Sequence, residues 1–394
     1  HTKQVADARA LLALASYALA SHALRLEIKN HMLQTVAHIN LAKGFRGGER
    51  QSVLLMKYLK LRNPELKQFL ICRPGGEIQK YVTDIPDLTI IEAKSALSAH
   101  AKLGSAAQIL QAHEARAVHW AAIHNLVYKT PYVITRRVPQ PVKNSWFNRF
   151  TFRHAAAVIG ISQAIRESIV ASFGASLNFS GRLGLIYSVL AHMEADPTET
   201  ANIAKQYAGK LVIGHVGAYV DRHKGQKVLI PAAKNLIKKY PNLRFILLGN
   251  GSDEAVLKEL TADTPEIEWL GFHKNVVDFI ENMDIFVFPS RNEGLGSVLL
   301  DIMDHHVPIV ASAVDGIPEI VHDRDTGLLF PNGDSQALEQ ALEELITKPE
   351  LRTQLATSAY GQLAHFRPEY MAQRYDALYR SIIKGRTKAP LSEI

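Results

Sequence analysis

The second half of the chain contains the stretch Phe288-Pro-Ser-Arg-Asn-Glu-Gly-Leu-Gly-Ser-Val-Leu-Leu-Asp301. An apolar run that suits a buried strand leads into a polar turn with two glycines, and a helix-like segment follows. Because glycine has no Cβ, Gly294 and Gly296 allow a ligand to approach the backbone closely. The amides from Leu295 to Val298 would lie free at the N-terminus of the helix, where N–H groups and the helix dipole favour an anion. The stretch therefore predicts an anion site beside the carboxylate of Glu293.

The same succession of strand, turn and helix repeats along the chain on both sides of this stretch. The apolar runs that we interpret as strands are 35–41, 68–72, 88–91, 109–112, 132–135 and 157–161 in the first half and 211–216, 244–248, 267–270, 285–288, 308–311 and 327–330 in the second. Strands that alternate with helices predict parallel sheets with helices on both faces. We therefore expect an α/β fold of two Rossmann-like, doubly wound domains whose ligands bind at the carboxyl ends of the strands, in a central cleft.

The domain boundaries follow from changes in this pattern. A polar stretch at 191–202, which contains Asp196-Pro197, is the expected linker. We divide the chain into an N-terminal domain at 32–195, a C-terminal domain at 196–366 and a terminal helix at 367–394. The pair His31-Met32 resembles the remnant of a cloning site, so we interpret residues 1–31 as a leader or a tag-derived helix. A native extra helix and a signal-like segment are the alternatives for residues 1–31.

A basic loop follows the first strand of the second half. It runs from Ile213 to Gln226 and contains Gly217 at the end of the strand, with Arg222 and Lys224 further along. A glycine permits a tight turn, and the two cations bring positive charge to the end of the strand. The loop is therefore a second candidate for binding an anionic group.

Two loops of the first half carry further candidate residues. Gly47 and Gly48 precede a helix after the first strand, a pattern that suits a phosphate or a sugar. His113 follows a short strand, and Arg116 comes three residues later. A plain strand-to-helix turn and a structural histidine are the alternatives.

Composition and charge limit the class of protein. The 394 residues are 47% hydrophobic and 21% charged, which is typical of soluble globular domains and excludes disorder and collagen-like structure. The net charge of +7 favours an anionic partner such as a nucleoside diphosphate, an anionic lipid or glycolipid, or nucleic acid. The single cysteine, Cys72, excludes an intrachain disulfide and fits a reducing compartment such as the cytoplasm. No apolar run has the length of about 20 residues that a membrane span needs.

One basic segment stands apart from these loops. No acidic residue occurs between Glu114 and Glu167, and aromatic residues lie near the centre of the segment. Its cations are Arg116, Lys129, Arg136, Arg137, Lys143, Arg149, Arg153 and Arg166. Basic residues among aromatics fit contact with anionic headgroups at a membrane surface, or with a phosphorylated acceptor. Arg136 and Arg137 end a strand, so we expect them, with Arg116, on the acceptor side of the cleft. A solvated basic face whose aromatics are part of the core is the alternative.

The stretch from Phe288 to Asp301 resembles the signature of glycosyltransferase family 4, in which two glutamates are separated by seven residues. The resemblance runs from about Thr35 to the last helix and is densest in the second half. It implies the GT-B fold, metal-independent catalysis, retention of anomeric configuration and a C-terminal helix that crosses back to the first domain. A weaker similarity to bacterial lipopolysaccharide-core and surface-glycan enzymes implies a glycan or lipid-linked acceptor, in the cytoplasm or at the inner face of the plasma membrane.

The resemblance also assigns roles to individual residues. It implies that Glu293 contacts the donor sugar and that Asp301, one methylene shorter than the usual glutamate, contacts the ribose. Lys224 matches the lysine of the family, whereas Ala218 occupies the usual arginine position, so we expect Arg222 to supply the guanidinium. The residues that the resemblance places at the donor, in addition to the catalytic candidate His113, are Gly47, Gly48, Gly217, Gly294, Leu295, Gly296 and Ser297.

Other functions remain open at this point. A sugar-nucleotide epimerase or hydrolase of the same fold and a non-catalytic nucleotide- or glycan-binding protein fit the same motifs. A nicotinamide-dependent oxidoreductase would need a dinucleotide fingerprint, which the sequence lacks. We expect no cofactor and no metal, because His305 and His306 diverge on a helix and the pair Asp323 and Asp325 lies in the wrong setting. We favour a UDP-sugar donor and expect no nucleic-acid partner.

Overall fold

The computed structural model describes residues 32–385. The predicted leader at 1–31 lies outside the described residues, as do residues 386–394. Thirteen strands form two parallel sheets within the described part of the chain. The first sheet contains β1 Thr35–Asn40, β2 Lys67–Cys72, β3 Leu88–Glu92, β4 Ile109–Ala112, β5 Tyr132–Arg136, β6 Ala157–Gly160 and β7 Leu183–Leu185. Its strand order is β3-β2-β1-β4-β5-β6-β7.

Helices connect the strands of the first sheet. They are α1 Gly47–Arg62, α2 Ala96–Leu103, α3 Ala115–Tyr128, α4 Trp146–His154 and α5 Gln163–Phe173, with 3₁₀ turns at Glu77–Tyr81 and Gly174–Ser176. Side chains cap several helix starts: the Ser162 hydroxyl accepts a hydrogen bond from the Ile165 amide at the start of α5. Such caps satisfy backbone donors that have no partner inside the helix.

The second sheet repeats the plan with six parallel strands. They are β8 Leu211–Val216, β9 Leu243–Leu248, β10 Ile267–Gly271, β11 Ile285–Phe288, β12 Ile309–Ser312 and β13 Leu328–Phe330, in the order β10-β9-β8-β11-β12-β13. The helices of this half are α6 Pro197–Gln206, α7 Asp221–Lys224, α8 Gln226–Lys239, α9 Glu254–Leu260, α10 Val277–Ile280, α11 Val298–Asp304, α12 Ser335–Thr347, α13 Pro349–Gly361 and α14 Pro368–Ile383. A 3₁₀ turn at Ile317–Glu319 follows β12, and another at Gln362–Phe366 precedes α14. The expected α/β fold with two Rossmann-like domains is confirmed.

The segment between the sheets differs from the expected loose linker at 191–202. Helix α6 begins inside it, at Pro197, and the Asp196 carboxylate accepts hydrogen bonds from the Thr198 and Glu199 amides. Proline suits the first helical position because its missing N–H would have had no partner there. The pair Asp196-Pro197 therefore starts a helix rather than marking an irregular connection.

The last helix packs against the first sheet. Tyr375 and Tyr379 of α14 are buried there with residues of β1, β4 and β5. The Tyr375 hydroxyl lies 2.6 Å from Thr135 Oγ1, and the Tyr379 hydroxyl donates a hydrogen bond to Gln111 Oε1 at 2.7 Å. The chain thus returns from the second sheet to the first. Between residues 32 and 385, no helix combines the length and apolarity needed to span a bilayer.

Candidate functional site

Two loops of the second sheet bring a lysine and a glutamate together. Lys224 ends α7 after β8, and Glu293 follows β11, which is the neighbour of β8 in the sheet. Lys224 Nζ donates a hydrogen bond to Glu293 Oε2, and both side chains keep about a fifth of their surface exposed, 21% and 19%. Lys224 Nζ also lies 5.0 Å from the ring centroid of Phe288. The cation and the carboxylate therefore lie together, partly exposed, after the carboxyl ends of adjacent strands.

Close backbone contact fixes these two loops to each other. Gly225 follows Lys224 with a φ of 66°, and a Cβ at this position would overlap the Pro289 carbonyl oxygen. Only glycine tolerates both the left-handed conformation and the short approach. The Arg291 amide also donates a hydrogen bond to the His223 carbonyl at 2.8 Å. Lys224 and Glu293 are thus held on one rigid backbone assembly.

A third loop supports Glu293. Asp315, which follows β12, accepts a hydrogen bond at 2.7 Å from the Glu293 amide. Gly217, at the end of β8, lies next to the lysine, since a Cβ there would be 3.6 Å from Lys224 Cδ. Three consecutive strands of the sheet therefore contribute to one site. Asp315 was not among the candidate residues predicted from the sequence.

The turn after Glu293 offers unpaired backbone donors. Within the described residues, no acceptor is found for the amides of Leu295, Gly296 and Ser297. The glycine loop of the first domain faces this turn, because a Cβ at Gly47 would lie 3.9 Å from Ser297 Oγ. The candidate donor-binding residues of the two domains therefore meet across the cleft.

The two domains touch beside this turn. A Cβ at Gly294 would overlap the carbonyl oxygen of Arg137 in the first domain. Gln140 Nε2 donates a hydrogen bond to Asn292 Oδ1 at 2.6 Å. The absence of a side chain at Gly294 thus allows the backbones of the two domains to approach each other closely.

Arg137 places its guanidinium in the interior of this region. Its Cδ would lie 3.5 Å from a Cβ at Gly48, and its Nε and Nη1 are buried without a hydrogen-bond partner among residues 32–385. Burial lowers the pKa of the Arg137 guanidinium, and the charge of Glu49 acts in the opposite direction. Arg136 donates a hydrogen bond to the Gln140 carbonyl, although its Nε is likewise buried without a partner among residues 32–385. Arg116 is exposed at the start of α3. The three arginines expected on the acceptor side therefore occupy different surroundings.

His113 is buried at the carboxyl end of β4. Its Nε2 lies 3.0 Å from Nδ1 of His38, and its Nδ1 has no partner in the described part of the chain. Burial, with the charges of Arg137 and His38, lowers the pKa of His113 well below the ordinary value of histidine. Glu114 fixes this end of the strand, because its carboxylate accepts hydrogen bonds from the Leu41, Arg116 and Ala117 amides. Glu114 was not among the candidate residues predicted from the sequence.

Arg222 is not part of the ion pair of Lys224 and Glu293. Arg222 is exposed, and its charge adds to the Asp221 amide and other groups in lowering the pKa of Asp253. No contact of Arg222 with Lys224 or Glu293 is found among the described residues. Its role as a substitute for the guanidinium missing at Ala218 stays a prediction.

Asp301 is engaged by the connection between the domains. Its Oδ1 accepts a hydrogen bond at 2.7 Å from the Ala191 amide, and its Oδ2 lies 3.9 Å from Arg50 Nη1 in the first domain. Burial raises the pKa of Asp301 to about 6, against the opposing effects of Ala191 and Arg50. The ribose contact stays a prediction, and the carboxylate already has a structural partner in the Ala191 amide.

Glu319 joins the domains on the other side of the cleft. Its two carboxylate oxygens accept hydrogen bonds from the Gln163 and Ala164 amides, at 2.7 and 3.0 Å. These amides open α5 of the first domain, so a carboxylate of the second domain caps a helix of the first. No local signal in the sequence could reveal this partner, because it depends on how the domains are placed.

The described residues 32–385 contain no group of three or more histidine, cysteine, aspartate or glutamate side chains that could hold a metal ion.

Comparisons with known proteins agree with this architecture. A family model described as "Glycosyl transferases group 1" matches residues 210–348. The Staphylococcus aureus protein named "Capsular polysaccharide biosynthesis glycosyltransferase CapM" is 26% identical over 240 residues, which are 58% of this chain and 63% of that protein. The Rhizobium meliloti protein named "Lipopolysaccharide core biosynthesis glycosyltransferase LpsE" is 29% identical over 43% of this chain and 50% of that protein. The chain thus spans less than two thirds of the length of these relatives.

A solved structure extends the comparison to both domains. The crystal structure of Anabaena HepE in complex with UDP and glucose matches with a TM-score of 0.73 and 19% sequence identity. The match covers 88% of this chain and the whole of that chain. The resemblance that the sequence predicted is confirmed: residues 210–348 match the model of glycosyl transferases group 1, and the chain has a two-domain fold of the GT-B type.

Proposed function

We propose that this chain is a retaining glycosyltransferase that moves a hexose-type sugar from a nucleoside diphosphate sugar to a glycan or lipid-linked acceptor. The observation that carries the proposal is the convergence of Lys224, Glu293 and the unpaired amides of 295–297 on one cleft. A cation and backbone N–H groups suit a diphosphate, and a carboxylate beside them suits the hydroxyl groups of a sugar.

The donor that we favour is a UDP-sugar. The structurally similar HepE was solved with UDP and glucose, and its chain is matched over both domains. The relatives CapM and LpsE are named for capsule and lipopolysaccharide synthesis, which supports a role in bacterial surface polysaccharides. We accordingly place the enzyme in the cytoplasm, at the inner face of the plasma membrane.

The protein would act chiefly on the leaving diphosphate. Its negative charge grows as the bond to the sugar breaks, and fixed donors that face this charge lower the barrier without rearranging. Lys224 can supply such a donor while it keeps its hydrogen bond to Glu293, because an ammonium group has three N–H donors. The amides of 295–297 would bind the same diphosphate from the backbone.

Retention follows most simply from attack on the face that the diphosphate leaves. In this route the bond from the sugar to the phosphate oxygen breaks, and the acceptor oxygen bonds to the same carbon. The proton of the acceptor hydroxyl goes to the departing phosphate oxygen, so no protein base is required. Glu293, paired with Lys224, would hold the sugar in place rather than attack it.

The acceptor side would include a basic and apolar surface on α3 and α4. Ile123, Leu126 and Val127 of α3 and Trp146 of α4 are exposed by 44%, 50%, 66% and 72%. The helices pack together where the His119 ring meets Phe147. The exposed cations on or beside these helices are Lys129, Lys143, Arg153 and Arg116. Apolar and cationic side chains on one surface fit an anionic membrane that presents a lipid-linked acceptor.

Substitution of the ion pair tests the proposal. We expect Lys224→Met and Glu293→Gln each to lower UDP release from UDP-sugars by about 100-fold or more, the usual effect of removing a donor that stabilises a transition state. The assay uses UDP-glucose, UDP-galactose or UDP-N-acetylglucosamine as donor and n-octyl β-glucoside as a lipid-like acceptor. The matched control is Lys227→Met, an exposed lysine outside the cleft.

The outcomes of this assay distinguish the rival functions. Wild-type turnover in either cleft variant would contradict the assigned roles. Donor consumption that is independent of the acceptor would favour an epimerase or hydrolase, and binding without turnover would favour a non-catalytic protein.

A further inference from the structure

Three buried polar side chains form a hydrogen-bonded row across neighbouring strands of the first sheet. Gln68 lies on β2, His38 on β1 and His113 just after β4, with exposed fractions of 0%, 0% and 3%. Gln68 Oε1 lies 3.0 Å from His38 Nε2, and His38 Nδ1 lies 3.0 Å from His113 Nε2. The row begins at α1, where Gln68 Nε2 donates to the Met56 carbonyl at 2.9 Å.

The chemistry of the row fixes the direction of every hydrogen bond. A carbonyl accepts only, so the nitrogen of the Gln68 amide must face Met56 and its oxygen must face His38. His38 Nε2 therefore carries the proton, and its Nδ1, in a neutral ring, accepts from His113 Nε2. The one proton of a neutral His113 is then on Nε2, which leaves a lone pair on Nδ1.

The reverse arrangement is unfavourable. Turning the Gln68 amide or moving the proton of His38 would set two acceptors against each other in the interior, at the cost of a lost buried hydrogen bond. A doubly protonated His38 would permit the reversal, but burial lowers the pKa of His38 to about 4. The row therefore has one direction at neutral pH.

Polar atoms of His113 and Arg137 have no hydrogen-bond partner among the described residues. His113 Nδ1, an acceptor, and Arg137 Nε and Nη1, which are donors, are buried and unpaired among the described residues. His113 follows β4 and Arg137 follows β5, the neighbouring strand, so both residues lie at the same edge of the sheet. The charge of Arg137 also contributes to the lowered pKa of His113. A hydroxyl group satisfies both, because its O–H can donate a hydrogen bond to His113 Nδ1 while its oxygen accepts a hydrogen bond from Arg137. A carboxylate has no proton to donate to Nδ1.

We propose that Gln68 and His38 are positioning residues that fix the tautomer of His113, so that its Nδ1 accepts a hydrogen bond from a hydroxyl group of the bound sugar. Arg137 donates to the same hydroxyl. The identity of the ligand as a nucleotide sugar rests on the proposed function, whereas the tautomer is a property of the free protein.

The tautomer can be measured on the full chain by NMR of protein labelled with ¹⁵N-histidine. The free wild-type protein should show His113 protonated at Nε2 and unprotonated at Nδ1, with the resonances assigned from a His113→Asn sample. Gln68→Leu removes the acceptor that holds the His38 proton, so a measurable fraction of His113 should become protonated at Nδ1. The matched control, Gln111→Leu, removes a buried glutamine of β4 that bonds to Thr135 and Tyr379, and should leave the His113 tautomer unchanged.

Ligand binding tests the second half of the inference. Among UDP-glucose, UDP-galactose and UDP-N-acetylglucosamine, the tightest ligand should shift the His113 Nδ1 resonance without protonating it, and UDP alone should not. Gln68→Leu should weaken that ligand by roughly tenfold and leave the affinity for UDP unchanged, since only the sugar meets His113.

The two possible failures give different results. A wild-type His113 protonated at Nδ1, or a tautomer unaffected by Gln68→Leu, would overturn the inference whatever the enzyme does. A bound UDP-sugar that leaves Nδ1 unshifted would overturn the hydroxyl contact. If no nucleotide sugar bound and no transfer occurred, both the proposed function and the hydroxyl contact would be wrong. The tautomer measured on the free protein would still decide whether Gln68 and His38 position His113.

Discussion

Charged side chains in the cleft are held by partners on other elements. Lys224 keeps Glu293 in place, Asp315 holds the Glu293 amide, and Glu114 fixes the backbone before α3. A partly buried charge is costly unless it is paired and hydrogen-bonded, so these contacts both stabilise the loops and orient the groups. Preparing a site in this way avoids rearrangement when a charged ligand arrives.

Asp301 is the residue whose ionisation should affect stability. The pKa of Asp301 is raised to about 6, above the ordinary 3.8, so the folded state binds the proton more tightly than the unfolded state. The group therefore makes its full contribution to the free energy of unfolding below about pH 3.8, and this contribution is lost as the pH rises through about 6. Asp301→Asn keeps an oxygen for the Ala191 amide but cannot ionise. As the pH rises from 5 to 7.5, we expect the free energy of unfolding of the variant to increase by about 1 kcal/mol relative to that of the wild type.

Thermal unfolding of both proteins at pH 5 and pH 7.5 measures this effect. The unfolding temperature of the variant minus that of the wild type should be larger at pH 7.5 than at pH 5. A difference that is the same at both pH values would show that the carboxylate is not penalised by burial.

At the scale of elements, apolar patterning predicted most of the fold and the convergence of its loops. The strands Ile109–Ala112, Leu211–Val216 and Ile285–Phe288 have the predicted bounds, because each is a fully or largely buried apolar run. Strand Leu183–Leu185 escaped prediction, since it has three residues, includes a glycine and is defined only by pairing with β6. Lys224 and Glu293 could be paired from sequence because parallel strands end at one edge of a sheet.

Contacts that depend on three-dimensional placement could not be predicted in this way. The cap that Glu319 supplies to α5 and the bond from Ala191 to Asp301 join segments more than 100 residues apart. The row of Gln68, His38 and His113 requires the strand order β2-β1-β4, which hydrophobic periodicity does not determine. Single-residue patterns thus located the loops of the cleft but not the bonds between domains.

The cap of α5 by Glu319 should affect domain closure. Glu319→Gln removes the charge and one of the two acceptors at the helix N-terminus, a loss of about 1 kcal/mol that acts between the domains. We expect roughly a fivefold lower kcat/KM and a larger radius of gyration by small-angle X-ray scattering, with little change in unfolding temperature. Glu167→Gln is the control, because the one hydrogen bond of the Glu167 side chain among residues 32–385 is accepted from Gln163 within α5. An unchanged radius and unchanged kinetics in Glu319→Gln would rule out a role in closure.

At the scale of the whole molecule, positive charge and exposed apolar surface coincide on the first domain. The net charge is +7, and residues 115–166 contain no acidic side chain. The exposed Trp146 begins α4, and the exposed Val127 lies near the end of α3. In the proposed function, contact of the first domain with the bilayer would bring a lipid-linked acceptor to a donor bound by the second domain.

Binding to lipid vesicles tests this orientation. The protein should sediment with vesicles that contain phosphatidylglycerol and much less with phosphatidylcholine alone, and salt should weaken the binding because it screens the basic residues. Trp146→Ser should reduce binding about threefold to tenfold, since an exposed aromatic ring contributes apolar area at the interface. Phe272→Ser removes an equally exposed ring, 71% against 72%, from the second domain and should have no effect. If Trp146→Ser and Phe272→Ser reduced vesicle binding equally, the binding would reflect general hydrophobicity rather than this surface. If the protein bound equally to both kinds of vesicle, the electrostatic contact would be excluded.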